Sequence, residues 1–265
     1  MYNFLEISLL ITHYNRSKSL ENLLSSFEKL NCKFGEIVIS DDGSMAEHLD
    51  YIRDVLSKKY EFNLVTTSQN KGLGNNINKG QDVVKMPYTL YIQEDFEPLS
   101  KFPDVLVDSL KYIEEYPDLD FIRFYSYLPY PYTRPFERDT RFIEMYIPFI
   151  ALNYSKITIY SDHPHLRRSN FFSKFGKYRE GLNPERTEYW MCISVLQNKG
   201  KGILYDDFKG LFVQKNTTSE PSTMIRKENW RRKNTILVRF IRYTYRQIRF
   251  NFDIKFVKIK RRTGI

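Results

Sequence analysis

The chain has 265 residues, 42% of them hydrophobic, and a formal net charge of +9. That length supports one large domain or one domain with an appended segment, and no apolar run approaches the roughly 20 residues needed to span a bilayer. Met1 to Glu6 has neither a basic stretch nor a cleavage site, so no secretion signal is expected; Cys32 and Cys192 lack metal-ligand spacing, and a reducing, cytoplasmic setting follows. The charge is uneven: residues 226–265 hold 14 Lys and Arg against Glu228 and Asp253, a balance of +12, while the other 225 residues carry 27 basic and 30 acidic groups. The basic character belongs to this C-terminal segment and says nothing about the core.

In chain order, residues 6–12 form a short apolar run suited to a buried strand. Leu20, Leu23, Leu24, Phe27 and Leu30 then recur at helical spacing, with Ser17 and Ser19 available as caps. Residues 36–40 predict a second strand ending at Asp41-Asp42-Gly43-Ser44, followed by a helix with Leu49, Ile52 and Leu56 on one face. Residues 62–67 predict a third strand. Asn70-Lys71-Gly72-Leu73-Gly74 precedes a helix starting near Asn75, and Tyr88–Gln93 predicts a fourth strand. Strands alternating with helices imply an α/β fold with a parallel sheet covered on both faces. An order of 3-2-1-4 would bring residues 12–16 beside residues 93–97 at a topological switch point. Beyond Pro98 the pattern loosens: a helix over 102–116, a strand over 121–125, a surface loop or acceptor-side flap over 127–138 rich in Pro, Tyr and Arg, and two strand candidates within 141–159.

The fourth strand runs straight into Glu94, Asp95 and Glu97. Carboxylates at a buried strand end are costly unless they meet a cation or a polar ligand, although an exposed acidic turn would give the same pattern. Asp41 or Asp42 can accept the N3 proton of a uracil ring, or can simply cap the next helix. Thr12 and Tyr14 can pack on or bond the base, and Arg16 can reach the acids or a phosphate. Asn70 and Gly72 open a helix whose free N–H groups suit an anion or a ribose edge. This is not a dinucleotide fingerprint, because Ile77 stands where a third Gly would be needed.

Taken together, the strand ending Thr12-His13-Tyr14-Asn15-Arg16, the Asp41-Asp42-Gly43-Ser44 turn and Asn70-Lys71-Gly72 before a helix resemble glycosyltransferase family 2. The resemblance covers residues 5–98 and returns more weakly over 163–214. It implies a GT-A fold over 1–225 (a nucleotide-sugar half to 98, an acceptor half after it) and an inverting enzyme taking a nucleotide-diphosphate sugar, UDP-linked by preference. The family's Asp-x-Asp aligns with Gln93-Glu94-Asp95, so the first acid is an amide here. A divalent metal, Mn²⁺ or Mg²⁺, is implied at Asp95, with Glu97 and Gln214 as further candidates; Gln214 stands where many relatives carry His. Glu188 falls on the catalytic-base position, with Glu185 as fallback and Tyr189 where a second acid is usual. His163 and His165 could substitute as ligands or contact the acceptor, but a turn before Pro164 is the simpler reading.

Within the basic segment, Arg239, Arg242, Arg246 and Arg249 share one face of a helix predicted over 236–250. Such a helix suits peripheral contact of the segment 226–265 with an anionic membrane, or packing on the domain with its arginines solvated. No nucleic-acid module accompanies it. The acceptor expected is a glycan or lipid-linked saccharide, as in surface polysaccharide synthesis. A nucleotidyltransferase is the rival enzyme, but residues 13–18 lack the Gly-rich loop it would need. A catalytically inactive sugar-nucleotide or membrane-binding protein would explain Gln93 and Gln214.

Overall fold

The structure, a computed structural model, describes residues 1–215 and 236–257. The first four strands are β1 (Tyr2–His13), β2 (Cys32–Asp41), β3 (Asn63–Val65) and β4 (Tyr88–Gln93). They pair in parallel, as the alternating pattern predicts, and in the assumed order β3-β2-β1-β4. Every residue from Ile7 to His13 is buried, which fits a central strand covered on both faces. The covering helices are α1 (Ser17–Lys29), α2 (Ala46–Asp54) and α3 (Leu73–Gln81). Leu20, Leu23, Leu24 and Phe27 form the buried stripe of α1, packed in the larger of two apolar clusters.

The sheet then becomes mixed. After β5 (Phe96–Pro98) and α4 (Phe102–Glu115) come β6 (Phe121–Arg123), β7 (Thr133–Pro135), β8 (Phe142–Met145) and β9 (His165–Arg168). These lead to α5 (Phe171–Phe175), α6 (Pro184–Gln197), β10 (Gly202–Tyr205) and β11 (Phe212–Gln214). The nine-stranded sheet runs β3-β2-β1-β4-β9-β6-β10-β8-β7, with β9 antiparallel to both β4 and β6. A separate two-stranded sheet pairs β5 with β11.

Two expectations are corrected. Of the two strands anticipated within 141–159, only β8 forms; residues Tyr154–Ile159 make a 3₁₀ turn instead, started by the Asn153 side chain accepting from the Ser155 amide at 2.9 Å. His165 lies in β9, not in a turn. That strand was hidden because it reads His-Leu-Arg-Arg. Its Arg167 is fully buried, donating to Tyr160 at 3.0 Å and to Gln81 at 2.7 Å and lying over the Phe171 ring. The C-terminal helix α7 (Ile236–Phe256) extends one turn and a half beyond its predicted end and docks on α6 and the 154–159 turn. The boundary expected at 225/226 lies outside the described residues.

Candidate active site

The crevice opens at the carboxyl ends of β1, β2 and β4, where the chain steps from β2 on one side of β1 to β4 on the other. Thr12, the penultimate residue of β1, lies opposite Gln93 of β4, and its hydroxyl is 3.1 Å from the Tyr91 hydroxyl. Tyr14 is half-buried just beyond.

Asp41 and Asp42 do different work. Asp41 is fully buried; its Oδ1 meets His13 Nδ1 at 2.8 Å and the Ser44 hydroxyl, while Oδ2 accepts from the Gly43 and Ser44 amides at 3.0 Å and from Thr66 at 2.7 Å. His13 Nε2 accepts the Arg16 amide at 3.1 Å, so the ring proton sits on Nδ1 and points at Asp41. Burial alone would raise the Asp41 pKa, but the bonds from His13, Ser44 and Thr66 outweigh it and hold it well below the carboxylate range. Five donors exceed the roughly four lone-pair sites of a carboxylate. Asp41 is therefore spent on shaping the turn. Gly43 completes it at φ +71°, where a Cβ would come within 2.5 Å of the Gln69 backbone.

Asp42 accepts only the Lys71 amide at 2.8 Å and the Gly72 amide at 2.9 Å, with its pKa raised, chiefly by burial. It retains acceptor capacity and fixes the entry to α3. Asn70, exposed, accepts from the Gly72 amide at 3.1 Å. Lys79 is half-buried on α3, its ammonium on the Asp41 carbonyl.

At the end of β4, Arg16 brings a guanidinium nitrogen to 3.1 Å from Asp95 and 3.6 Å from Glu94, and donates to the Lys215 carbonyl at 3.3 Å. Gln214 donates to Asp95 Oδ2 at 2.9 Å. The β5–β11 pairing sets Gln214 opposite Phe96 and so aims it at Asp95. Of the other metal candidates, Glu97 is paired with Lys215 at 2.7 Å, and the Gln214 carbonyl accepts from Tyr127. Asp95 Oδ1 is buried without a partner. No set of three or more His, Cys, Asp or Glu side chains converges as a metal cage among the described residues. One carboxylate oxygen beside a diphosphate is nonetheless how Mg²⁺-type ions are commonly held, and Asp95 Oδ1 fits that role. The histidines do not join it. His165 is core, and His163 is caged by Tyr127 and Tyr125, its pKa pushed down to about 3 by burial and then by Arg123.

Glu188 lies on α6, partly exposed, and accepts the Asp162 amide at 3.0 Å. The Asp162 carbonyl in turn receives Gln93 Nε2 at 3.4 Å. The backbone of one residue, through its N–H and its carbonyl, therefore joins the end of β4 to Glu188. The Asp162 side chain is buried, with Oδ1 accepting from Tyr178 at 2.6 Å and Oδ2 unpartnered. Behind it, Tyr178 meets Tyr160 at 2.7 Å, and Tyr160 meets Arg167. The pKa values of both acids are raised, in each case mainly by burial; for Asp162 the neighbouring Glu188 charge adds to it. Glu185, the fallback, is exposed on the first turn of α6. Tyr189 turns away and donates to Asp253 of α7. The residue standing in the place of a second acid thus fastens the C-terminal helix.

Sequence reasoning missed His13, Asp162 and Tyr178. His13 lay inside a quoted motif, but its partner is 28 positions away; Asp162 had no signal short of tertiary contact.

Comparison with known proteins bears on the family and the fold. Residues 8–176, well over half of the chain, match the profile described as Glycosyl transferase family 2. A poly-beta-1,6-N-acetyl-D-glucosamine synthase of Staphylococcus epidermidis is 29% identical over 105 residues, 40% of this chain and 25% of that protein. Dolichyl-phosphate beta-glucosyltransferase of Saccharomyces cerevisiae is 31% identical over 119 residues, 41% of this chain and 35% of that one. This chain therefore spans about a quarter to a third of those relatives. Among solved structures, S. aureus TarS 1-349 in complex with UDP-GlcNAc superposes with a TM-score of 0.58 at 17% identity, over 83% of this chain and 61% of that one. The mannosyltransferase PcManGT of Pyrobaculum calidifontis, in complex with GDP-Man and Mn²⁺, gives 0.54 at 13%, over 77% and 55%. The fold is that of these GT-A proteins, and the chain belongs to glycosyl transferase family 2.

Proposed function

We propose that the protein is an inverting glycosyltransferase that moves a sugar from a nucleotide-diphosphate donor to a hydroxyl of a glycan or lipid-linked saccharide. The observation that carries this reading is the Asp162 backbone, whose carbonyl receives Gln93 from the donor strand and whose N–H is accepted by Glu188. The donor's base is assigned to the β1 and β2 ends, where Asp42 retains acceptor capacity for a uracil N3–H, and Thr12 and Tyr14 flank it. Support for a UDP-linked donor comes from this acceptor and from the likeness to TarS, which binds UDP-GlcNAc.

Glu188 takes the proton from the acceptor hydroxyl as that oxygen attacks the anomeric carbon. The bond to the diphosphate breaks on the opposite face and its electron pair leaves with the nucleoside diphosphate. Burial raises the Glu188 pKa towards the working pH, which suits a general base. Asp162, buried and beside a second carboxylate, holds a proton more readily, so the pair carries one negative charge and that charge faces the acceptor. Arg16 stays against Asp95 and Glu94 and offers a fixed cation at the diphosphate end. A divalent ion held by Asp95 Oδ1 would add positive charge for the departing diphosphate.

The test is a screen of UDP-, GDP- and dTDP-sugars for donor hydrolysis, with Mn²⁺, with Mg²⁺ and with EDTA, backed by calorimetric binding. Metal-stimulated turnover of one donor is the expected result. Absence of binding to every donor would refute the reading, whereas binding without turnover on any acceptor would favour the inactive sugar-nucleotide binder, a reading that Gln93 and Gln214 keep in play.

A further inference from the structure

Among the described residues, helix α7 meets the domain along one side. Phe250 and Ile254 pack on the second apolar cluster beside Tyr189, and Gln197 donates to the carbonyls of Ile254 at 3.0 Å and Val257 at 2.6 Å. The opposite side carries Ile241, Tyr245, Ile248, Phe252 and Phe256, each between 51% and 68% exposed. At 100° per residue these five occupy an arc of roughly 80°. The apolar row therefore faces outward, the reverse of a helix that hides its apolar side on its own domain. Arg242, Arg246 and Arg249 run along one edge of the row, Arg246 reaching Tyr154 at 3.3 Å.

A second apolar patch adjoins it. In the loop 146–152, Phe149 is fully exposed, and Ile150 and Leu152 are 70% and 73% exposed. Lys156 ties this loop to the helix, donating to the Ala151 carbonyl at 2.9 Å and to Asn251 of α7 at 2.5 Å. Asn251 lies one turn from Ile248, at the margin of the outward row. Contiguous apolar surface of this extent marks a binding face. Two faces of one positively charged segment would repel each other, while anionic lipid would attract them. No described helix is long and apolar enough to cross a membrane.

We infer that α7 and the loop 146–152 together form one seat on an anionic membrane surface, the helix lying in the interface with its outward row in the acyl boundary and its arginines among the headgroups. This goes beyond a basic tail, because it assigns the loop an equal share. It does not depend on the identity of the donor or acceptor.

The experiment is flotation of the full chain with phosphatidylcholine vesicles, with and without phosphatidylglycerol, at low and high salt. Wild type should partition at least about tenfold more strongly onto the anionic vesicles and weaken with salt. Phe149→Ser/Ile150→Ser and, separately, Ile248→Ser/Phe252→Ser should each lower partitioning by about tenfold or more, since each pair removes two side chains from the acyl boundary. Circular dichroism and gel filtration of both variants check the fold. The salt and lipid dependence of the unmutated chain tests the seat without them. Failure of wild type to float on anionic vesicles would overturn the inference. So would a loop variant that floats like wild type, or a wild-type dimer that the same substitutions dissolve, which would assign the face to a second copy.

Discussion

The two halves of the crevice are built from the same kind of residue and treat it in opposite ways. On the donor side, Asp41 meets five donors, Asp42 two amides, Glu97 a lysine, and Asp95 an arginine and an amide. On the acceptor side, Asp162 and Glu188 lie close together, each is raised in pKa mainly by burial, and one oxygen of Asp162 has no partner. Asp41, met by five donors, is held well below the carboxylate range and organises the turn around it. Asp162 and Glu188 are both shifted upward by burial, although Arg167 and Arg123 pull against the shift. Chemistry is thus assigned by environment rather than by residue type.

The sharpest way to break this contrast is Glu188→Gln. Turnover should fall about 10³-fold, within the range that general-base catalysis supplies, while donor affinity measured by calorimetry stays put. Asp95→Asn should come next, with turnover falling on the order of 10²-fold and its response to added Mn²⁺ flattened in a metal titration. Asp41→Asn should act on stability. Exchanging a fully satisfied carboxylate for an amide costs about 2–3 kcal/mol in denaturant unfolding. The Asp41 pKa is depressed in the folded state, so its contribution is complete above the ordinary carboxylate range. The gap between wild type and variant should therefore narrow as pH falls below about 4. The smallest effect belongs to Tyr189→Phe, which removes one hydrogen bond to Asp253. It should loosen α7 by about 1 kcal/mol in amide exchange and leave turnover within twofold.

The donor half was largely legible in the sequence. Its strands and helices are local and periodic, and the stretch 88–93 matches β4 residue for residue. The order 3-2-1-4 was an assumption that the alternation of strands and helices could not supply, and the structure has it. The acceptor half was less legible, because its determinants are long-range. β9 depends on Arg167 finding Tyr160 and Gln81 as hydrogen-bond partners, the latter 86 positions away, and a pair of arginines in sequence does not announce a buried strand. Asp162 gains its place through backbone contacts with residues 69 and 26 positions distant. The family resemblance put Glu188 on the base position, and Tyr189, which looked like a lost acid, is instead the clamp on α7. The tail's charge and helicity could be read directly, but which face would be turned outward could not, since that depends on Phe250 and Ile254 finding Tyr189.

The pH dependence of turnover in wild type and Asp162→Asn is the most direct test that Glu188 is the base and Asp162 the proton holder. Wild-type kcat should fall on acidification with a midpoint above the ordinary Glu value of about 4.3, as Glu188 takes up a proton. Asp162→Asn, which cannot ionise, should keep that limb, because in wild type Asp162 is already neutral when Glu188 works. An acid limb that disappears in Asp162→Asn, or that persists in the residual activity of Glu188→Gln, would contradict the assignment and move the base to Asp162.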